Sequence, residues 1–246
     1  MRQFMALAWF HLKLYVQNSY FLTLMGTSTL SMFFLQYLVA SGTQQWDSAL
    51  WLRAGIVGLW SCGTTAAGII GMQRGIGTLT YLINNRVSDY LSLAAVVAPA
   101  SIFGVLSFGV ALGVALLLGI PLQLNASLLL MILALWMVAF ALDLLIAGLF
   151  VLTPHAIIYE QLVTFPILIC SGLYPLPEAF NVGEPLMDIL FPIAIPIKWL
   201  LGQYNVTYYS AFAFLGSLVL CGGLSLIVTR WIIQHAKQTG RLGVKY

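Results

Sequence analysis

Residues 73–90 read QRGIGTLTYLINNRVSDY, and they form the longest polar interruption in the first two-thirds of a very apolar chain. The stretch carries three charged residues, Arg74, Arg86 and Asp89. Its apolar residues nevertheless recur at helical spacing, at Ile76, Leu79, Leu82 and Ile83. A polar segment with an apolar helical stripe, placed between membrane spans, predicts a surface for another protein.

The composition places the chain in a membrane. Of its 246 residues, 61% are hydrophobic and only 7% are charged, and the mean hydropathy is +0.98. A soluble domain carries about 25% charged residues. A net charge of +3 gives no sign of a nucleic-acid partner. The three cysteines lie in apolar stretches without a CxxC spacing, so they are expected to pack rather than to bind metal.

Six apolar segments are each expected to cross the bilayer, which makes the fold all-α and integral to the membrane. The predicted spans are residues 20–40, 52–72, 91–118, 126–152, 156–170 and 208–233. Residues 1–19 precede them and predict an amphipathic helix in the membrane interface. One face of that helix would carry Met5, Ala8, Trp9, Leu12 and Val16, and the other Arg2, Gln3, His11, Lys13 and Gln17.

A proline-rich region separates the fifth and sixth spans. Six of the nine prolines fall between Pro166 and Pro196, in sequence that is still apolar. A continuous helix cannot contain so many prolines, and a soluble loop would be more polar. Residues 171–198 are therefore predicted to be short broken helices that re-enter the membrane from one side, covered by protein or lining a cavity.

The positive charges indicate the orientation. Six spans place both termini on one side, and the cytoplasmic side then holds eight of the ten Lys and Arg residues. The inner set is Arg2, Lys13, Arg74, Arg86, Arg230, Lys237, Arg241 and Lys245, and the outer set is Arg53, expected to snorkel to the headgroups, and Lys198. Residues 73–90 would then be cytoplasmic and residues 171–198 extracellular.

Ionisable residues within spans suggest a function by default, and this chain has two, Asp143 and Glu160. The alternative for Asp143 is a hydrogen bond to a neighbouring span or to backbone that fixes the packing. The alternative for Glu160, and for His155 nearby, is capping of a turn or pairing with Arg or Lys. The chain contains no G-x-x-x-x-G-K-[ST], H-E-x-x-H or G-x-S-x-G motif and no acid-rich metal cluster, so neither an enzyme nor a cofactor or metal site is expected.

The order of these parts, with two motifs, resembles the permeases of the ABC type-2 exporter family over essentially the whole chain. Gly77-Thr78-Leu79-Thr80-Tyr81-Leu82, then Val87-Ser88, is similar to the family's cytoplasmic G-T-L-x-x-L stretch. Cys170-Ser171-Gly172-Leu173-Tyr174-Pro175-Leu176-Pro177 is similar to its S-G-x-x-x-P region after the fifth span. The chain departs from the family at Gln73 and Arg74, where acidic residues are usual, and at Asn84-Asn85 and Arg86.

The resemblance implies a permease subunit in a cell membrane that forms a dimer with a second copy or a paralogue. Separate cytoplasmic ABC ATPase subunits would drive export of a hydrophobic or amphipathic substrate such as a drug, lipid, glycolipid or peptide. It implies that residues 73–90 act as a coupling helix with ATPase contacts at Gly77, Thr78, Leu79, Leu82, Asn84 and Arg86. It also implies an outer gate that includes Ser171, Gly172, Pro175 and Pro177.

Three other classes remain open. One is an ion- or proton-coupled secondary transporter that uses Asp143 and Glu160, although such folds show helix breaks in both halves and this chain shows them at one end. Another is a membrane enzyme acting on lipids, for which the chain offers few convergent polar groups. The last is an assembly or immunity subunit, which the sequence does not separate from a permease.

Overall fold

The computed structural model describes residues 2–17, 19–83, 88–122, 124–153, 156–174 and 191–239, without the side chains of residues 157 and 161. Within these ranges the regular structure is helical and no strand occurs. The helices are α1 (Arg2–Gln17), α2 (Tyr20–Thr43), α3 (Leu50–Gly75), α4 (Leu79–Ile83), α5 (Asp89–Leu117), α6 (Leu128–Phe150), α7 (Ala156–Cys170), α8 (Ala194–Leu200) and α9 (Tyr208–Gln238).

Five helices of the described part, α2, α3, α5, α6 and α9, are long and apolar enough to cross a membrane. They make the chain a multi-pass membrane protein, as its composition predicts. The second predicted span begins earlier and ends later than expected, because α3 continues through Gln73 and Arg74 to Gly75. Residues 73–90 are therefore not one helix, since their first three residues finish α3 and α5 already begins at Asp89.

The central helix is α3, which packs against α2, α5, α6 and α7. Five of its glycines allow this, because each of the five accepts a group from a neighbouring helix where a Cβ would stand. Small residues let helices approach closely where lipid offers no hydrophobic drive for association. The pairs are Gly55 with Phe108, Gly58 with Thr29 and Ser107, Gly63 with Asp143, Gly68 with Glu160, and Gly71 with Ala156.

Two apolar clusters fill the bundle, one toward each end. The cluster at the end that carries α1 and α4, here called the α4 end, includes Ile70, Leu79 and Phe150. The cluster at the opposite end, the α8 end, includes Trp60, Leu135 and residues of α8. Between the two clusters, α3, α5, α6 and α9 carry buried residues that are polar or small. We call these residues the polar layer: Gly63, Thr64, Gly104, Ser107, Asp143 and Ser225.

Helix α1 packs on α5 through a face that differs from the one predicted. His11, predicted on the polar face, is only 6% exposed, and Tyr15 is also buried and donates a hydrogen bond to the carbonyl of Val96 (3.1 Å). Met5 and Trp9, from the predicted apolar face, are exposed. Part of the predicted apolar face therefore points away from the bundle, although Leu12 of that face packs against the cluster of the α4 end, and His11 and Tyr15 dock α1 onto the protein.

The burial of His11 makes the docking of α1 sensitive to pH. Burial lowers the pKa of His11 below its usual 6.5. A lowered pKa means that the fold favours neutral His11, so this stabilisation is present above pH 6.5 and is lost as the pH falls through the lowered pKa. We expect the midpoint temperature of unfolding to decrease when the pH is lowered from about 7 to about 5, and to decrease less in His11→Gln.

The matched control is His235→Gln, because His235 is exposed near the end of α9. This substitution should leave the pH dependence of the midpoint as in the wild type. Identical pH profiles for His11→Gln and the wild type would contradict the assignment.

An ion pair lies at each end of the bundle. Lys237, in the last turn of α9, donates to both carboxylate oxygens of Asp89 at the start of α5 (2.8 and 3.0 Å). Arg53, predicted to snorkel to the headgroups, instead pairs with Asp47 in the loop before α3 (2.6 Å). The end of α9 and the start of α5 therefore lie together at the α4 end.

The proline-rich region is described only in part, since residues 175–190 lie outside the described residues. Its last helix, α8, is buried along its whole length and belongs to the cluster at the α8 end. That residues 171–198 re-enter the membrane stays a prediction.

Candidate functional site

The segment between α3 and α5 forms a compact turn and a short helix at the α4 end. Gly77 has φ +79°, a left-handed conformation that favours glycine, and it reverses the chain after α3. The Thr78 hydroxyl donates to the Gln73 carbonyl oxygen (3.0 Å) and also contacts the Gln73 side-chain oxygen. These contacts fix the start of α4 against the last turn of α3.

One side of α4 is buried and the other is exposed. Leu79 is 0% exposed and Ile83 is also buried, and both join the apolar cluster of the α4 end. Leu82 is half-buried beside them, whereas Tyr81 is 82% exposed. The predicted contact residues thus divide into Gly77 and Thr78 in the turn, Leu79 beneath the helix and Leu82 at its edge.

The two remaining predicted ATPase contacts, Asn84 and Arg86, lie outside the described residues, as do Pro175 and Pro177 of the predicted outer gate and His155.

The other two predicted gate residues follow α7 at the α8 end. Ser171 is fully buried and its hydroxyl donates to the carbonyl of Leu168 (2.6 Å). Gly172 has φ +76°, and a Cβ placed there would lie 3.2 Å from Cε of Lys198. The Ser-Gly turn therefore ends α7 beside α8, and both lie at the α8 end of the bundle.

Asp143 lies in the polar layer and is 1% exposed. Neither carboxylate oxygen has a hydrogen-bond partner among the described residues. The expected hydrogen bond to a neighbouring span is therefore not observed; the side chain instead lies against Gly63, where a Cβ would come within 2.6 Å of Cγ and would overlap Oδ2. A buried carboxyl group without a partner is costly, and an ionisable residue inside a span is by default a hypothesis of function.

The side chain of Glu160 is buried and contacts α3. It is 6% exposed, and its Oε1 accepts a hydrogen bond from the hydroxyl of Thr65 (2.6 Å), while Oε2 lies near Gly68. It forms no ion pair with Arg or Lys within the described ranges. Glu160 therefore contacts α3 and does not, within the described residues, cap a turn or pair with a basic residue.

The two carboxylates face different sides of α3. Their contacts Gly63 and Gly68 are five residues apart, which corresponds to about 7.5 Å along a helix and about 140° around it. No group of three His, Cys, Asp or Glu side chains that could hold a metal ion occurs among the residues described. Asp143 and Glu160 thus contact α3 at different positions, although their carboxyl groups are near enough to interact electrostatically.

Comparison with family models, with curated proteins and with solved structures finds no match to this chain.

Several of the contacts described above were not predicted from the sequence. Thr65, Gly63 and Gly68 of α3 contact Asp143 or Glu160. His11 and Tyr15 dock α1 onto the bundle. The number of glycines in the second span was a usable signal, because small residues mark positions where helices approach closely. No comparable signal distinguished Thr65 from other hydroxyl residues in spans, since most of these bond to their own helix.

Proposed function

We propose that this protein is the transmembrane permease subunit of an ABC exporter. In this proposal it pairs with a second permease copy or a paralogue in a cell membrane, and separate cytoplasmic ATPase subunits bind it and hydrolyse the ATP. The observation that carries the proposal is the arrangement of α1 and α4 at one end of the bundle. Both dock on α5 and both contribute to the same apolar cluster.

This arrangement would allow a movement of a bound ATPase subunit to be transmitted to the membrane helices. Leu79 and Ile83 attach α4 to the apolar cluster, and Tyr15 attaches α1 to the same cluster. A displacement of either helix would therefore reach α5, which packs extensively on α3. Rigid-body movement of packed elements is one of the usual ways in which a local event changes a distant site.

The positive charges support the α4 end as the cytoplasmic side. Arg74 lies in the last turn of α3, and Arg230 and Lys237 lie toward the end of α9. Arg53 and Lys198 lie at the α8 end. The positive-inside rule then places both termini in the cytoplasm.

A sixth crossing by α7 is part of the proposal. This helix has only 15 residues, but it begins with Ala156 against Gly71 near the end of α3. Beyond its end, Leu173 shares a cavity with Leu50 at the start of α3. The segment from Ala156 to Leu173 thus follows α3 in the opposite direction for nearly its whole length.

The coupling proposal predicts an ATPase contact at Tyr81. Because Tyr81 is exposed while Leu79 is buried, Tyr81→Asp should change the surface and keep the fold. We expect the ATPase subunit to co-purify with the wild type in mild detergent, and the recovered ATPase to fall by about tenfold with Tyr81→Asp. The measurement is the ratio of ATPase to permease after affinity purification from the native membrane.

The matched control is Tyr208→Asp, which makes the same change at an exposed tyrosine at the start of α9, on the α8 end. It should leave the ratio unchanged. Equal losses for the two variants, or no ATPase with the wild type, would refute the proposal.

A secondary transporter is the second candidate, and the unpartnered carboxylate of Asp143 favours it. In that case an alanine at Asp143 would abolish transport and inactivation of any ATPase would have no effect. For the ABC permease, inactivation of the ATPase would abolish transport.

A further inference from the structure

A cavity of about 440 Å³ lies where α1, α2, α3 and α7 meet, and Glu160 is part of its lining. The volume is within the usual range for a small-molecule site. Its rim contains the exposed side chains of Leu14, Tyr20 and Met72, so the cavity reaches the molecular surface. Its interior contains the buried side chains of Tyr15, Phe21 and Glu160.

The walls combine an aromatic cluster with a single acidic group. The rings of Tyr15 and Phe21 are 4.5 Å apart, and those of Tyr20 and Phe21 are 5.6 Å apart. The hydroxyl of Tyr15 is held by the carbonyl of Val96, which fixes its ring in place. Aromatic faces attract organic cations, and this attraction grows when the site is removed from water.

Glu160 is held ready for a positive charge. The hydroxyl of Thr65 donates to Oε1 of Glu160 (2.6 Å), which fixes the position of the carboxyl group in the cavity wall. Among the described residues no Arg or Lys side chain lines the cavity, and Glu160 forms no ion pair with the described basic residues. A carboxylate in an apolar aromatic cavity lacks a counter-charge that a ligand can supply.

We propose that this cavity binds an amphipathic organic cation, with the positive head group at Glu160 and the apolar body between the side chains of α1, α2 and α3. The remaining lining fits such a body, because Leu14, Ile69 and Met72 are apolar. The inference concerns binding alone and does not rest on the ATPase partner. The test below can therefore fail while the ATPase still co-purifies, and the reverse also holds.

The test uses two photoreactive probes with the same alkyl chain. One is decylammonium with a diazirine in its chain, and the other is the corresponding decanol. The full-length protein is reconstituted in phosphatidylcholine vesicles, because zwitterionic lipid gives the cation no general advantage at the surface. Labelled peptides are then identified by mass spectrometry. We expect the cation to label the wall around Ile69 and Met72 about tenfold more than the alcohol does.

Glu160→Gln is the decisive variant, because its amide oxygen still accepts the Thr65 hydroxyl while the charge is lost. It should reduce labelling by the cation about tenfold and leave labelling by the alcohol unchanged. Asp143→Asn is the matched control, since Asp143 is also a buried carboxyl group but does not line the cavity. It should retain the preference for the cation.

Competition in the wild type tests the site without any variant. Excess unlabelled decylammonium should suppress labelling of the wall, and excess decanol should not. Equal labelling by the two probes, labelling of the cavity wall by neither, or a full preference for the cation in a folded Glu160→Gln protein would each overturn the proposal.

Discussion

Gly104→Ala is expected to destabilise the bundle by about 3 kcal/mol, the upper end of the cost of overpacking. A Cβ at this position would lie 2.8 Å from the carbonyl oxygen of Leu59 and 2.9 Å from its Cα. Backbone atoms inside a helix cannot move aside as the end of a side chain can. The α3–α5 contact, which is the most extensive in the bundle, would therefore have to open.

Gly109→Ala on the same helix is the matched control, because nothing lies within 4 Å of a Cβ at that position. Alanine also favours the helix over glycine by up to about 1 kcal/mol, so the control should be neutral or stabilising. The measurement is the unfolding midpoint in mixed micelles, followed by circular dichroism. Similar midpoints for the two variants would show that α3 and α5 do not approach as closely as described.

The second large effect is a coupling between Gly63 and Asp143. Gly63→Ala alone should cost about 2 kcal/mol, because the new methyl group would overlap the Asp143 carboxylate. Asp143→Ala alone should be neutral or stabilising, because it removes a buried carboxyl group that has no hydrogen bond among the described residues. In the double variant the clash is absent, so the two changes should be non-additive by about 2 kcal/mol.

Glu160→Ala serves as the comparison for that cycle, because Glu160 contacts Gly68 and Thr65 rather than Gly63. Combined with Gly63→Ala, it should give no relief. If Asp143→Ala and Glu160→Ala relieved the Gly63→Ala variant equally, the rescue would come from general loosening of the bundle and not from the contact described.

The sequence was sufficient for the membrane class and for the approximate position of five long helices, because uninterrupted apolar runs are a strong signal. It was insufficient for α1, where Met5, Trp9 and Val16 of the predicted apolar face are exposed and His11 and Tyr15 are buried. The reason is physical: lipid is as apolar as the protein interior, so hydrophobicity alone does not distinguish a lipid-facing side from a protein-facing one.

Small residues gave better information than hydrophobic ones. The second span is rich in glycine, a composition typical of close helix contacts, and each of Gly55, Gly63 and Gly68 receives a side chain from a neighbouring helix. The identity of those side chains could not be predicted, because it depends on the depth and rotation of helices that are distant in the sequence. For the same reason the sequence offered a turn or a basic residue as the partner of Glu160, whereas its side chain is bonded to Thr65 of α3.

The polar layer lies within continuous helices, so it connects the two apolar clusters and does not let them slide past one another. Helices α3, α5, α6 and α9 each run through it without a break. Ser107 of α5 also donates a hydrogen bond to the carbonyl of Gly55 on α3 (2.6 Å). A helix that tilts at the α4 end therefore moves its α8 end as well.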